Sequence, residues 1–344
     1  MKILITGGCG FVGSNLSIFL KKRGFKVYSL DNLSRKGSKL NNLRLKKYKI
    51  VNYKISIQDR IKISKLKKFD IIIDCCAEPS VAASLKSAKD SRKVFETNLV
   101  GTFNILQKCI KDKSKIIFLS SSRVYSLQNL NKIKNKKKIL SPLKKIKEIN
   151  LNFDQNPPLS LYGFTKISSE NLIKEMSFSN NIKYIINRCG VISGPWQMGK
   201  VDQGFVSLFT WSYLMNKKIS FIGYGGEGHQ IRDILHCDDL NLLILKQINK
   251  INKVYNKTYT VGGGKNNAIS LFELSNILKF KTKKEIKIEK KKNTFIYDVP
   301  YVVMSNNNVS KIYNWKPKKN INDIINDLIR WIKTNKKILR NIFE

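Results

Sequence analysis

Short apolar runs alternate with longer amphipathic stretches through the first half of this chain. Ile3–Thr6, Lys26–Leu30, Lys49–Ile55, Asp70–Cys75 and Lys115–Leu119 read as strands. Strands spaced by helical patterns predict an α/β fold, a doubly wound parallel sheet, because parallel neighbours need a crossover between them. Ser91 to Lys111 reads as one long helix, with Val94, Leu99, Phe103, Leu106 and Ile110 on an apolar stripe and Asn98 and Thr102 one turn apart. Residues 126–160 break the rhythm. They are rich in Lys and Asn, end in Asn156-Pro157-Pro158, and read as a long loop or insertion. A helix from Tyr162 to about Ser177 and a strand from Lys183 to Arg188 follow. The pattern divides the chain into residues 1–188, with 126–160 inserted, and a smaller lobe over 189–344, parts of which return to the first. In that lobe Gly223–Gly228 is too glycine-rich for regular structure, and Ile321–Lys333 reads as an amphipathic helix.

The first strand runs directly into Thr6-Gly7-Gly8-Cys9-Gly10-Phe11-Val12-Gly13. Glycine suits a tight turn at Gly7, close approach of backbone to a pyrophosphate at Gly10, and helix–strand packing at Gly13. A helix from Phe11 to about Lys22 would aim its first N–H groups, those of Phe11 and Val12 included, at the phosphates. Asp31 ends the second strand, where a carboxylate accepts from a ribose hydroxyl and repels a 2′-phosphate. Arg35 and Lys36 would suit a 2′-phosphate, but Asp31 opposes it, so NAD is expected over NADP. The alternative is a glycine turn in a plain βα unit, which does not need the acid.

The net charge is +41, from 65 Lys and Arg against 24 Asp and Glu. The lysines are spread along the whole chain and travel with Asn and Ile, without a basic arm of interleaved aromatics. That distribution reads as a solvated surface and predicts no specific nucleic-acid partner, although the field would attract a diphosphate. No apolar run approaches the ~20 residues that span a bilayer, and the strand starting at Lys2 leaves no room for a signal peptide. A soluble, cytoplasmic protein without a membrane partner is expected. The six cysteines form no C-x-x-C pair and read as reduced thiols, and with only His229 and His236 no metal site is expected.

Tyr162-Gly163-Phe164-Thr165-Lys166 puts Tyr and Lys at i and i+4 on one helical face. An ammonium beside a phenol favours the phenolate, which takes a proton from a hydroxyl during oxidation of its carbon. Upstream, Ser120-Ser121-Ser122 ends a strand at the edge where such sheets bind ligands. Ser121 would share its hydroxyl with the reacting oxygen. The bland alternative is a serine turn and a surface helix pair. Arg232 reads as a diphosphate clamp or as a structural ion pair with an acid. Asp202 and Gln203 would read sugar hydroxyls, with a helix cap as the alternative for Asp202. For His236 a hydrogen-bonded structural role is expected.

These residues together resemble the extended short-chain dehydrogenase/reductases of the nucleotide-sugar epimerase and dehydratase group, over nearly the whole length. Gly7, Gly10, Gly13 and Asp31 match its NAD site, Asn98 its helix asparagine, and Ser121, Tyr162 and Lys166 its catalytic set. The resemblance implies a Rossmann-type domain with a smaller C-terminal substrate-binding lobe, and extends the cofactor set to Asn32, Ser34, Arg35 and Ala77. It implies Ser122, Asp202, Gln203 and Arg232 as the substrate set; Gln230–His236 matches the segment that presents an arginine to the diphosphate, and Trp315-Lys316-Pro317 a C-terminal signature. Asp31–Gly37, Val201–Val206 and the long Ser121–Tyr162 gap resemble the CDP-paratose 2-epimerase branch. That likeness implies a CDP-sugar substrate, oxidation at C2 by tightly held NAD, and return of the hydrogen to the opposite face. A 4-epimerase acting on a UDP- or other NDP-sugar and an RNA-binding relative of the same fold are the rivals. The group implies a homodimer or homotetramer built on the Ser91–Lys111 and Tyr162 helices. Ser56 departs from the group's adenine-contacting Asp, Ser126 from its Gly, and Ser121 replaces Thr. Ser122-Arg123 stands where 4,6-dehydratases carry an acidic pair, which argues against dehydration.

Overall fold

The structure is a computed structural model that describes residues 1–82, 87–133, 147–201 and 203–343. In chain order the strands are β1 (Lys2–Thr6), β2 (Lys26–Leu30), β3 (Val51–Tyr53), β4 (Ile71–Asp74), β5 (Lys115–Ser121), β6 (Tyr184–Cys189), β7 (Val191–Ser193), β8 (Ile219–Ile222), β9 (Ile231–His236), β10 (Lys257–Val261), β11 (Ala268–Ser270), β12 (Ile288–Lys291) and β13 (Tyr301–Val302). Seven of them form the central sheet, in the order β10-β6-β5-β4-β1-β2-β3. The ladders from β3 through β2, β1 and β4 to β5 are all parallel. Helices cover such a sheet on both faces, which is why Ile3, Leu4 and Ile5 and then Ile71, Ile72 and Ile73 are continuous apolar runs with no exposed surface. Strand order reverses between β1 and β4, so the loops that follow these two strands flank the switch-point crevice.

The chain forms two compact units. One comprises Met1–Val124, Ser160–Arg188 and Leu240–Tyr259; its core gathers Leu30, Phe69, Ile105, Phe118, Ile173 and Ile186. Helix α1 (Phe11–Lys21) leaves the glycine loop, and α2 (Ser38–Lys47) and α3 (Arg60–Ser64) follow. The helix expected over Ser91–Lys111 is three pieces: α4 (Ala88–Phe95), a π-turn (Glu96–Val100) and α5 (Gly101–Asp112). At the π-turn the Asn98 carbonyl accepts from Thr102 Oγ1 at 2.7 Å and Ser169 Oγ at 3.1 Å, side-chain bonds that accompany a widened turn. The predicted stripe splits accordingly: Val94 and Leu106 are buried, whereas Phe103 is exposed.

The second unit comprises Tyr125–Leu159, Cys189–Asp239 and Thr260–Glu344. Of the segment expected as an insertion into the first unit, 134–146 lie outside the described residues, and the described residues 126–133 and 147–159 fall in this second unit. They include α6 (Leu127–Lys132). Ile149 N–H donates to Val303 O and Ser305 N–H to Ile149 O, each at 2.8 Å, and Tyr301 Oη donates to Lys147 O at 3.0 Å. Helix α7 (Leu161–Asn180) then returns the chain to the first unit. A small sheet in the order β11-β9-β13, with β7 also on β9, and the β8–β12 pair build the second unit. Helices α8 (Phe205–Met215), α9 (Cys237–Lys250), α10 (Leu271–Thr282), α11 (Asn307–Tyr313) and α12 (Ile321–Phe343) follow; the greater part of α9 lies in the first unit. The helix expected over Ile321–Lys333 continues to Phe343, past a non-helical Asn335, and Phe343 stacks on Trp211 with ring centroids 4.8 Å apart. No disulfide forms among the six cysteines. Among the described residues no helix is long and apolar enough to cross a membrane.

Glu170 on α7 is the centre of a buried polar cluster in the first unit. Arg188 at the end of β6 meets it with Nε at 3.0 Å from both oxygens and Nη2 at 2.7 Å from Oε2, while Ser120 Oγ donates to Oε1 at 2.5 Å. Both charged side chains are buried. Removing one partner strands the other charge in a low dielectric, so Glu170→Ala should lower stability by about 3–5 kcal/mol. Urea denaturation monitored by circular dichroism measures this, and Glu170→Gln, which keeps an acceptor, should cost less.

Candidate active site

The glycine loop is as tight as its sequence requires. Gly7 has φ +59°, and a Cβ there would lie 2.9 Å from the Cα of Cys76. Gly10 N–H donates to Gly7 O at 2.9 Å. A Cβ on Gly13 would overlap the Gly7 carbonyl oxygen, so α1 packs on β1 only through glycine. Gly8 was missed by the sequence reading: it has no room for a side chain because Ser29 fills that space. Asp31 holds the loop from β2. Its Oδ2 accepts from Cys9 N–H at 3.0 Å and its Oδ1 from Leu33 N–H at 2.8 Å. Burial raises its pKa and these N–H groups oppose the rise. Cys9 itself is pushed up to about 12 by burial and by the neighbouring Asp31 charge, which leaves an inert thiol. Gly10 offers no capping side chain, so the first-turn N–H groups of α1, those of Phe11 and Val12 among them, suit a pyrophosphate. This cradle fits a dinucleotide. Asn32 Oδ1 accepts from Ser34 N–H at 3.1 Å and shapes the loop beyond β2. Arg35 Nη2 sits 2.6 Å from Glu78 Oε1. Ala77 precedes Glu78 in the loop after β4, where Asn98 Oδ1 accepts from Glu78 N–H at 2.8 Å and Asn98 Nδ2 donates to Glu78 O at 3.2 Å.

Ser121 is the last residue of β5, and its Oγ accepts from Arg123 N–H at 3.2 Å in the 3₁₀ turn Ser122–Val124. Tyr162 lies in the first turn of α7, behind the cap of Ser160, whose Oγ accepts from Gly163 N–H at 3.1 Å. A Cβ on Gly163 would overlap the carbonyl oxygen of Arg123, so α7 docks its first turn directly on the turn that follows Ser121. That close approach brings Ser121 and Tyr162 to one edge of one unit. Lys166 follows Tyr162 by a helical turn and is buried, with Nζ 3.9 Å from the centre of the Phe118 ring. Asn98 Nδ2 also donates to Thr165 Oγ1 at 3.1 Å, tying the loop after β4 to α7.

Asp74 at the end of β4 is a further buried carboxylate beside this set. Thr6 Oγ1 donates to it at 2.5 Å, Thr102 Oγ1 at 3.3 Å and Cys76 N–H at 3.2 Å. Burial raises its pKa, and the Lys166 charge is the largest influence pulling it back. An acid closing the apolar run Ile71–Ile73 was its only sequence signal.

Gln203 and Arg232 belong to the second unit, and Asp202 lies outside the described residues. Gln203 forms an antiparallel bridge with Lys200. The Arg232 guanidinium reaches Asp298 Oδ1 at 3.1 Å, Val299 O at 2.6 Å and Ile231 O at 2.8 Å. The ion pair weighed as an alternative is therefore present. His236 is buried; its Nδ1 accepts from Asp238 N–H at 3.0 Å, and burial lowers its pKa. Asp233 is fully buried against Gly190 and Gly262, and its Oδ2 accepts from Gly264 N–H and Met304 N–H, each at 3.2 Å.

The sequence pattern of the NAD dependent epimerase/dehydratase family matches residues 3–262. The chain is 25% identical to the CDP-paratose 2-epimerase of Salmonella typhi, over 96% of this chain and 99% of that protein. It is 29% identical to a putative UDP-glucose 4-epimerase of Methanocaldococcus jannaschii, over 97% of this chain and 99% of that one. A crystal structure of the Thermotoga maritima UDP-glucose 4-epimerase with UDP-glucose shares the fold at a TM-score of 0.81 and 23% identity, covering 98% of this chain and 100% of that chain.

Asp233 gives the second unit a pH signature. Burial raises its pKa from 3.8 to about 7 against the opposing pull of the backbone N–H groups. Between those values the folded chain holds a proton that the unfolded chain has released. The contribution of this group to stability therefore falls as pH rises from about 4 to about 7, and is flat above. The stability of Asp233→Asn relative to wild type should rise across that window, as read from urea midpoints in a pH series.

Proposed function

The chain belongs to the NAD dependent epimerase/dehydratase family, and from that premise we propose that it inverts one carbon of a nucleotide-diphosphate sugar, C2 of a CDP-sugar. The observation that carries this reading is the docking of the Tyr162 turn on the strand end that bears Ser121, with Lys166 buried one turn behind. NAD, when bound, supplies the reversible two-electron oxidation of the carbinol carbon. Tyr162, held as the phenolate by the Lys166 ammonium, takes the proton of the C2 hydroxyl and becomes the neutral phenol, and Ser121 Oγ hydrogen-bonds the reacting oxygen. The C2 hydrogen leaves with its electron pair, the keto-sugar turns over, and the same hydrogen returns to the opposite face while Tyr162 gives its proton back. Arg232 is assigned to the diphosphate, its fork oriented by Asp298, with Gln203 and Asp202 assigned to the sugar hydroxyls and Ser122 to the sugar beside Ser121. Full-length similarity to a CDP-paratose 2-epimerase and the Asp31–Gly37 and Val201–Val206 segments favour this branch. A second reading, a UDP-sugar 4-epimerase, is favoured by the 29% identity to the Methanocaldococcus protein. Ser122-Arg123, without an acid and base pair for elimination, disfavours a dehydratase. Six cysteines with no disulfide among them support a reducing, cytoplasmic setting.

Tyr162→Phe should keep its fold and NAD content and lose at least ~100-fold in turnover. With CDP-paratose deuterated at C2, the product should retain the label in ordinary water. Loss of the label to solvent would replace this chemistry by proton abstraction, and turnover of UDP-glucose at C4 instead would establish the second reading.

The same reading places a second copy of the chain on α4, α5 and α7, as a homodimer or a tetramer of such dimers. Phe95, Val100 and Phe103 are exposed there and line an apolar groove with Leu99 and Leu172. Light scattering at micromolar concentration should give a dimer or higher, and Phe103→Glu should shift it toward monomer by placing a charge in a buried face.

A further inference from the structure

The loops that leave β2 and β4 touch each other. Arg35 follows Asp31 in the first loop, and its Nη2 lies 2.6 Å from Oε1 of Glu78 in the second. In the sheet β1 lies between β4 and β2, and the Gly7–Gly13 loop leaves β1 at the same edge. A contact from the β2 loop to the β4 loop therefore spans the glycine loop. The two ends differ in how firmly they are held. Glu78 is fixed: Asn98 grips both its N–H and its carbonyl, Lys93 Nζ on α4 lies 3.3 Å from its Oε2, and its side chain is only 13% exposed. The Arg35 side chain is 38% exposed and rides on a loop with positive φ at Leu33 (60°) and Gly37 (90°).

We propose that Arg35 and Glu78 form a latch across the mouth of the dinucleotide cleft, which opens before NAD enters or leaves. Glu78 is the anchored keeper and Arg35 the moving bolt. The latch lets an enzyme that regenerates its own oxidant hold NAD through many cycles without tighter contacts to it. It also engages Arg35 with a carboxylate, which leaves its charge satisfied without a 2′-phosphate. The inference rests on the NAD reading of the glycine loop.

Exchange of bound NAD for isotopically heavy NAD, followed by mass spectrometry, tests it on the full chain. Arg35→Gln, Glu78→Gln and the double variant are compared with wild type. Each single variant should release NAD roughly tenfold faster, the scale of one charge-assisted bond in a part-buried pair. The double variant should match the singles, because both remove the same pair. Association should speed up alongside, with Kd nearly unmoved, since a gate equally stable in the empty and loaded forms shifts no equilibrium. Weaker Kd for Arg35→Gln with no effect of Glu78→Gln would make Arg35 a direct cofactor contact and overturn the latch. Unchanged exchange in all three variants would also overturn it while leaving the NAD site standing. A wild type that takes up no NAD would overturn both.

Discussion

The buried pair of Glu170 and Arg188 sets how α7 meets the central sheet. It joins α7 to the end of β6, and Ser120 ties the same carboxylate to the end of β5. A buried ion pair contributes little net stability, because desolvation offsets most of the attraction. Its value here is positional. With Glu170 fixed, α7 has one register against the sheet, and Gly163 lets its first turn settle on the Arg123 carbonyl. Tyr162 and Lys166 then ride on a helix whose first turn is docked on the turn that follows Ser121. On the proposed reading Tyr162 is the base, and a base misplaced by an ångström loses much of its effect, so a rigid attachment of the helix matters more than the strength of any one contact.

The cofactor side is joined to this helix through Asn98. Its side chain holds both backbone groups of Glu78 and reaches Thr165, and its own carbonyl takes Thr102 and Ser169. A regular helix has no spare carbonyl for two hydroxyls. The π-turn at Glu96–Val100 marks where the backbone departs from regularity at this residue. Asp74 works nearby in the opposite sense: a carboxylate buried beside Lys166 balances part of the charge that a buried ammonium brings.

Much of this was legible because it follows from local rules. The strands of the first half are apolar runs set by burial on both faces, and Gly7 and Gly13 are demanded by φ or by close approach. The Tyr162–Lys166 spacing is helical arithmetic. What was not legible depends on partners remote in sequence. Glu78 reads as one more surface acid until Arg35, Lys93 and Asn98 converge on it. Glu170 and Arg188 are ordinary residues of a helix and a strand until the fold buries both. The π-turn leaves a helical pattern nearly intact while shifting its stripe by one residue, which is why Phe103 faces outward. Residues 126–160 carry no periodicity, and the described part that falls in the second unit is held there by contacts remote in sequence, such as those of Ile149 with Val303 and Ser305.

On the proposed reading the two units carry different kinds of information. The groups of the first unit act on a hydroxyl and the hydrogen beside it, and nothing in Ser121, Tyr162 or Lys166 distinguishes C2 from C4. The choice of carbon falls to whatever holds the diphosphate and the ring, and Arg232 and Gln203 sit in the second unit. Arg232 is suited to hold rather than to react: it is always charged, and Asp298 and two carbonyls fix the plane of its fork. Asp233, next in the chain, is locked by Gly264 and Met304 N–H groups and presses on glycines at 190 and 262, so β9 has little room to shift. An anchor that stays still while the sugar ring turns is what inversion by oxidation and return requires. The same anchor serves either carbon, and a change in which hydroxyl meets Tyr162 converts one epimerase into another without touching the catalytic set.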